Sequence, residues 1–152
     1  MKNLSIGFIL FFLTIPSFAQ QTEEESAVKA AINLIFDGMR KSDTSMIRKA
    51  FSDQITMQTI AKNKEGNFRV RNEKLADFLK SIATPHPQPY NEKIVFDKIL
   101  IDANLASVWT SYKFYVGETF SHCGVNSFQL FKDKEGWKII YLIDTRRKDP
   151  CN

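Results

Sequence analysis

At 152 residues, 43% of them hydrophobic and 25% charged, the chain has the make-up of one ordinary globular domain rather than of a disordered or fibrous segment. Its net charge of +4 at pH 7 is small, and the basic residues are interspersed with acids, as in Lys132-Asp133-Lys134-Glu135, without interleaved stacking aromatics; no nucleic-acid partner is expected. With two histidines, two cysteines, no His-x-x-x-His or Cys-x-x-Cys spacing and no glycine-rich phosphate fingerprint, no metal and no cofactor are expected either.

In chain order, Lys2, the apolar run Ile6 to Leu13 and the small residues Ser17 and Ala19 read as a secretory signal peptide over residues 1–19, cleaved after Ala19. The apolar run is far short of the roughly 20 residues that a membrane-spanning helix needs, and no cysteine follows the cleavage point to carry a lipid. The domain is then residues 20–152, exported to the periplasm or secreted, with no membrane attachment after cleavage. Cys123 and Cys151 would meet an oxidising compartment, where a disulfide between them is expected, two unpaired thiols being the alternative. Closing a loop of about 29 residues, the bond would contribute about 3 kcal/mol by the loop-entropy account. His122 and Cys123 are not expected to act as base and nucleophile, because neighbours on a strand face opposite ways.

Thr22 and Glu25 have the spacing of a capping box, which predicts a helix start there. Val28, Ala31, Ile32, Ile35, Phe36 and Met39 follow at the spacing of one buried stripe. Asp43 is placed to cap a second helix running through Phe51, with Met46, Ile47, Ala50 and Phe51 inward. Ile55 to Ile60 and Phe68 to Arg71 read as a hairpin about the turn Lys62 to Asn67, and Asn72 as the cap of a third helix, Glu73 to Ile82. Pro85-His86-Pro87-Gln88-Pro89 ends that helix, and His86 is expected to be exposed there. Four strands follow, Lys93 to Asp102, Ala106 to Gly117, Thr119 to Lys132 and Gly136 to Thr145, joined by tight turns into an antiparallel meander. The sum is one α+β domain: three N-terminal helices packed on a curved, mainly antiparallel sheet.

That order, together with Gly124, Phe128 and Leu130 on one strand and Gly136-Trp137-Lys138-Ile139 on the next, resembles the nuclear transport factor 2-like superfamily, also called the SnoaL-like or cystatin-like α+β cone. Phe51-Ser52-Asp53 after the second helix adds to the resemblance. The exported form with His122-Cys123-Gly124 and the ending Asp144-Thr145-Arg146-Arg147 is similar to bacterial members labelled as lumazine-binding. The superfamily includes isomerases, dehydratases, cyclases, epoxide hydrolases and non-catalytic carriers, so the resemblance implies a fold rather than a reaction. In its ketosteroid isomerases the general base is an aspartate on the first strand, six residues after the first aspartate of an aromatic-Ala-Asp-Asp motif. Counted from Asp53 that position holds Thr59, and Ile55 to Ile60 contains no acid, so this mechanism does not carry over.

The residues left for chemistry are His122, Asn126, Tyr112, Tyr141, Asp144, Arg146 and Arg147. His122 has the side chain suited to proton transfer near neutral pH, and pairing about the Asp133 to Gly136 turn would bring Asp144 near Ser121 to Gly124, where it could orient the imidazole in a catalytic dyad. A structural hydrogen-bonding role for His122 is the alternative. Asn126 supplies both donors and an acceptor for a ligand or for buried backbone. Tyr112 shares a face with Val108, Thr110, Phe114 and Val116, and Tyr141 alternates with Trp137, Ile139 and Ile143, so both tyrosines are expected on the core side, as packing or as ligand contacts. Arg146 and Arg147 could hold a carboxylate or phosphate at the pocket mouth, or Arg146 could pair with Asp144 at a solvated strand end.

The functional expectation is an exported small-molecule-binding protein that holds an apolar or aromatic ligand in a cone-shaped pocket without catalysis. An enzyme of lyase, isomerase or hydrolase type using His122 with Asp144 is the rival, and a homodimerising interaction module the third reading.

Overall fold

The computed structural model describes residues 17–149 and 151. Most of the expected signal peptide, residues 1–16, lies outside the described residues. Helix α1 spans Ser17–Lys41 and starts earlier than the capping signal at Thr22 predicts. Ser-Phe-Ala-Gln-Gln ahead of Thr22 holds no helix breaker, so Thr22 lies inside the helix, where its carbonyl accepts the Ser26 hydroxyl at 2.8 Å. The stripe from Val28 to Met39 is buried as its spacing requires.

Helix α2, Thr44–Ala50, is capped as expected: Asp43 Oδ1 accepts the amides of Ser45 and Met46 at 2.9 and 3.2 Å. These bonds, with the Ser45 hydroxyl first among them, hold the Asp43 pKa below its ordinary value. Gly38 lets the two helices meet, since a Cβ there would come within 2.5 Å of Ile47 Cγ1 and 2.7 Å of the Asp43 carbonyl. Phe51 begins a strand instead of ending the helix.

Strands β1, Phe51–Lys62, and β2, Phe68–Glu73, form the expected hairpin but are longer than expected. Asn72 belongs to β2, where its side chain accepts from Gln58 Nε2 at 2.9 Å. Pairing with β1 therefore outcompetes capping, and helix α3, Leu75–Ala83, starts after Lys74 without a side-chain cap. His86, in the proline-rich loop that follows, is partly buried and stacks on Tyr90 with ring centroids 4.1 Å apart. It is not the exposed residue that loop composition suggests.

The meander is β3, Tyr90–Asp102, β4, Leu105–Val116, β5, Thr119–Asp133, and β6, Gly136–Thr145. The sheet order is β2-β1-β6-β5-β4-β3. Every pair is antiparallel except β1 with β6, which run parallel and join the early hairpin to the meander in one mixed sheet. Phe128, Leu130, Ile139, Val108 and Ala106 of the sheet meet Val28, Ile32, Ile47 and Ile82 of the helices, and all nine are essentially inaccessible. Burying each of the larger apolar side chains stabilises the fold by about 1.5–3 kcal/mol. Glu24 of α1 accepts from Trp137 Nε1 at 3.0 Å and Lys132 Nζ at 2.5 Å, tying the start of the helix to the β5–β6 turn.

Two irregularities shape the far end of the sheet. The register of β5 against β6 shifts between Leu130↔Ile139 and Gln129↔Tyr141, leaving Ile140 as an extra residue, and β1 shifts opposite the same place, between Phe51↔Ile139 and Thr56↔Tyr141. At Gly124 the end of β6 crosses so closely that a Cβ would lie 1.8 Å from the Thr145 carbonyl oxygen and 2.7 Å from Tyr112 Cε1. Beyond it Cys123 and Arg147 exchange both backbone hydrogen bonds at 2.9 Å, and Cys123 is disulfide-bonded to Cys151 with the Cα atoms 5.9 Å apart.

Gly124→Ala is expected to destabilise the domain by about 3 kcal/mol, because neither a strand carbonyl nor a buried ring can withdraw cheaply; urea unfolding measures this, and a loss below 1 kcal/mol would contradict the close crossing. Cys151→Ser should lower stability by about 3 kcal/mol in the same assay.

Candidate functional site

Between α1, α3 and the inner face of the sheet lies a hollow of about 90 Å³. Its apolar wall comes from Phe36 and Met39 of α1, Phe78 of α3, and Met57, Phe128 and Leu142 of the sheet; its polar lining is Gln58, Glu73, Glu92, Asn126, Asp144 and Arg146.

The extra residue at Ile140 decides which side chains of β6 reach this hollow. Because alternation along a strand has period two, inserting one residue turns Leu142 and Asp144 inward, opposite Phe128 and Asn126. Tyr141 is turned outward. It lies opposite Gln129, whose side chain bonds to Ser107 on the outer face, and its hydroxyl donates to Gln58 Oε1 at 2.5 Å. The expectation that Tyr141 shares the core face with Trp137 and Ile139 is thus corrected: the bulge breaks the alternation between them.

The same register separates His122 from Asp144. Asp144 stands opposite Asn126, not opposite Ser121 to Gly124, and no hydrogen bond joins it to His122 among the described residues. His122 is half-buried, with Nδ1 3.0 Å from the Ser121 hydroxyl and its ring packed against Phe114 and Tyr112 at centroid distances of 4.9 and 5.7 Å. Burial, and then the Arg146 charge, push its pKa below the ordinary value despite the opposing pull of Asp144. Burial thus favours the neutral imidazole, and without a hydrogen bond between them His122 and Asp144 do not form the expected dyad.

Tyr112 does face inward, and it is buried. Its hydroxyl donates to the Thr145 carbonyl at 2.9 Å and lies 3.4 Å from Asp144 Oδ2. Burial, reinforced by the charges of Asp144 and Glu92, raises its pKa, so the phenol stays protonated. Asp144 Oδ2 also accepts from Arg146 Nε at 2.9 Å, making the strand-end ion pair weighed from the sequence. Burial works against the Arg146 charge, but Asp144 outweighs it and the guanidinium pKa is raised. The backbone of Arg147 pairs with that of Cys123.

Asn126 is buried and donates through Nδ2 to Glu92 Oε1 at 2.8 Å, with Thr110 Oγ1 at 3.4 Å. Glu92 is the residue that sequence reading missed. Burial pushes its carboxyl up to about 7; the Asn126 bond opposes the rise and the Asp144 charge adds to it. A carboxyl at this value is half-protonated near neutral pH and can take or give a proton. The signal was present: Glu92, Ile94 and Phe96 alternate on one face of β3, and a charged residue on an otherwise apolar face marks a polar wall. Thr59 is buried beside Asp144 in register, and its hydroxyl has no hydrogen-bond partner among the described residues.

Residues 23–141 match the family model described as "Putative lumazine-binding". The chain belongs to this family. Solved structures described as NTF2-like share its fold. A protein of unknown function from Shewanella baltica is 19% identical, with a TM-score of 0.67 over 89% of this chain and 100% of that one. A cystatin-like domain of unknown function from Nostoc punctiforme is 20% identical, with a TM-score of 0.64 over 83% of this chain and 78% of that one. A protein of unknown function from Silicibacter pomeroyi is 9% identical, with a TM-score of 0.62 over 84% and 98%. No functionally curated protein matches the chain. The family and its fold are those of ligand-binding or enzyme-like domains, and at these identities the solved structures speak to the fold alone.

Because Glu92 has a folded pKa of about 7, above the ordinary 4.5, the native state holds an extra proton between those values, and stability is lost as pH rises through that window. Glu92→Gln is expected to flatten this dependence and to be more stable than the parent chain at pH 8 but not at pH 4.5. Urea unfolding across that range checks it; an unchanged slope would remove Glu92 from the hollow's electrostatics.

Proposed function

We propose that the chain is an exported small-molecule-binding protein of its family, which takes an apolar or aromatic ligand into the hollow between α1, α3 and the sheet and does no chemistry on it. The observation that carries this reading is the division of the hollow into an apolar wall, with Phe36, Met57 and Phe78, and a polar wall, with Glu92, Asn126 and Arg146. An apolar cavity with a few convergent polar groups is the usual form of a small-ligand site. At about 90 Å³ the hollow is smaller than the roughly 300–1,000 Å³ of such sites, so the ligand enters by displacing the unbranched Met39 and Met57 side chains, which repack at low cost, and by lifting the short α3. Three features favour binding without catalysis: Thr59 stands where an isomerase base would be, His122 lacks its carboxylate partner, and Asp144 is occupied by Arg146 and Tyr112.

The Glu92 carboxyl supports a second reading, an enzyme of isomerase, lyase or hydrolase type in which Glu92 rather than His122 moves the proton. Turnover of any bound compound, lost in Glu92→Gln with binding intact, would select this reading over the first.

Native mass spectrometry of protein purified without added ligand is expected to show a retained organic molecule, absent from Met57→Trp, which fills the hollow. Equal ligand retention by both proteins would place the molecule elsewhere and defeat the proposal. Export is checked by the N-terminus of the recovered protein, expected at Gln20.

A further inference from the structure

Beyond the hollow, a second concavity of about 750 Å³ opens where the C-terminal tail crosses the β1–β2 hairpin, lined by Lys62, Phe68, His122, Arg146, Arg147 and Lys148 among others. We propose that this cleft is a binding site for an organic carboxylate with an aromatic or apolar body, opening outside the hollow and sharing Arg146 with it.

Charge is the first argument. Four cationic side chains, Lys62, Arg146, Arg147 and Lys148, line the cleft against one acid, Asp149. Neither Lys62 nor Lys148 is in an ion pair among the described residues.

Arg146 is the second. Asp144 grips it through Nε alone, at 2.9 Å, and that carboxylate is nearly buried, with 12% of its side chain exposed, whereas 45% of the Arg146 side chain is exposed. The two terminal nitrogens have no hydrogen-bond partner among the described residues. An arginine fixed along one edge with its terminal nitrogens free is pre-organised for an oxyanion, because the ordering cost has been met within the fold.

Phe68 is the third. The residue is 59% exposed, with Lys62 Nζ 5.4 Å from the ring centroid. It offers an apolar surface beside the cations, the combination that favours an acid carried on a ring over a bare anion.

The tail forms one wall of this cleft, and it is held by the Cys123–Cys151 bond and the paired backbones of Cys123 and Arg147. The disulfide thereby builds the site as well as stabilising the domain.

Isothermal titration of the full exported chain with benzoate tests this, with benzyl alcohol and inorganic phosphate as parallel probes. Benzoate should bind saturably and at least tenfold more tightly than either. Lys62→Glu with Lys148→Glu, at exposed positions that leave Tm unchanged, should weaken benzoate at least tenfold, and Cys151→Ser at least fivefold at a temperature where it remains folded. Met57→Trp, which fills the hollow, should leave benzoate binding as it is. The inference is overturned if benzyl alcohol or phosphate binds as well as benzoate, if the charge-reversed variant binds like the parent chain, or if Met57→Trp abolishes binding.

Discussion

A single extra residue in β6 sets the chemistry of this domain. With Ile140 bulged out, Leu142, Asp144 and the start of the tail change faces, and a strand that would have presented Tyr141 to the core presents a carboxylate instead. The sheet accommodates the insertion because β1, the parallel neighbour of β6, is irregular at the same level. A bulge of this kind re-aims side chains and increases local twist, and here it does so beneath the open end of the helix layer.

Once Asp144 is inside, its surroundings follow from the cost of burying charge. A carboxylate withdrawn from water needs a cation or hydrogen-bond donors; Arg146 supplies both, and the Tyr112 hydroxyl stands 3.4 Å away. Asp144 in turn raises the cost of ionising Glu92, a second acid at the same wall, whose carboxyl moves toward neutrality while Asn126 bonds it. The two carboxyls thus have different tasks. One is a fixed anion that orients an arginine; the other changes protonation in the range where most proteins work. His122 lies outside this pair, held by Ser121 and two aromatic rings.

The close crossing at Gly124 connects the wall to the tail. Without a side chain there, the Thr145 carbonyl can accept the Tyr112 hydroxyl, and the chain then bridges back to Cys123 and is locked by Cys151. Inner hollow and outer cleft meet at Arg146, which lines both.

Local chemistry in the sequence determined a good deal. The buried stripe of α1, the Asp43 cap, the four-strand meander with its turns, the inward face from Gly124 to Leu130 and the pairing of the only two cysteines all follow from periodicities of 3.6 and 2, from capping groups and from composition, which act over a few residues. Tertiary structure decided the rest. The parallel union of β1 with β6, the loss of Asn72 from α3 to the hairpin, the reversal of Tyr141 and Asp144 by the bulge, and the convergence of Glu92 from β3, Asn126 from β5 and Arg146 from the tail after β6 all depend on register between segments distant in the chain. Register is a property of pairs of strands, and a one-residue slip in it exchanges the faces of every side chain beyond, so no reading of one strand at a time could have placed them.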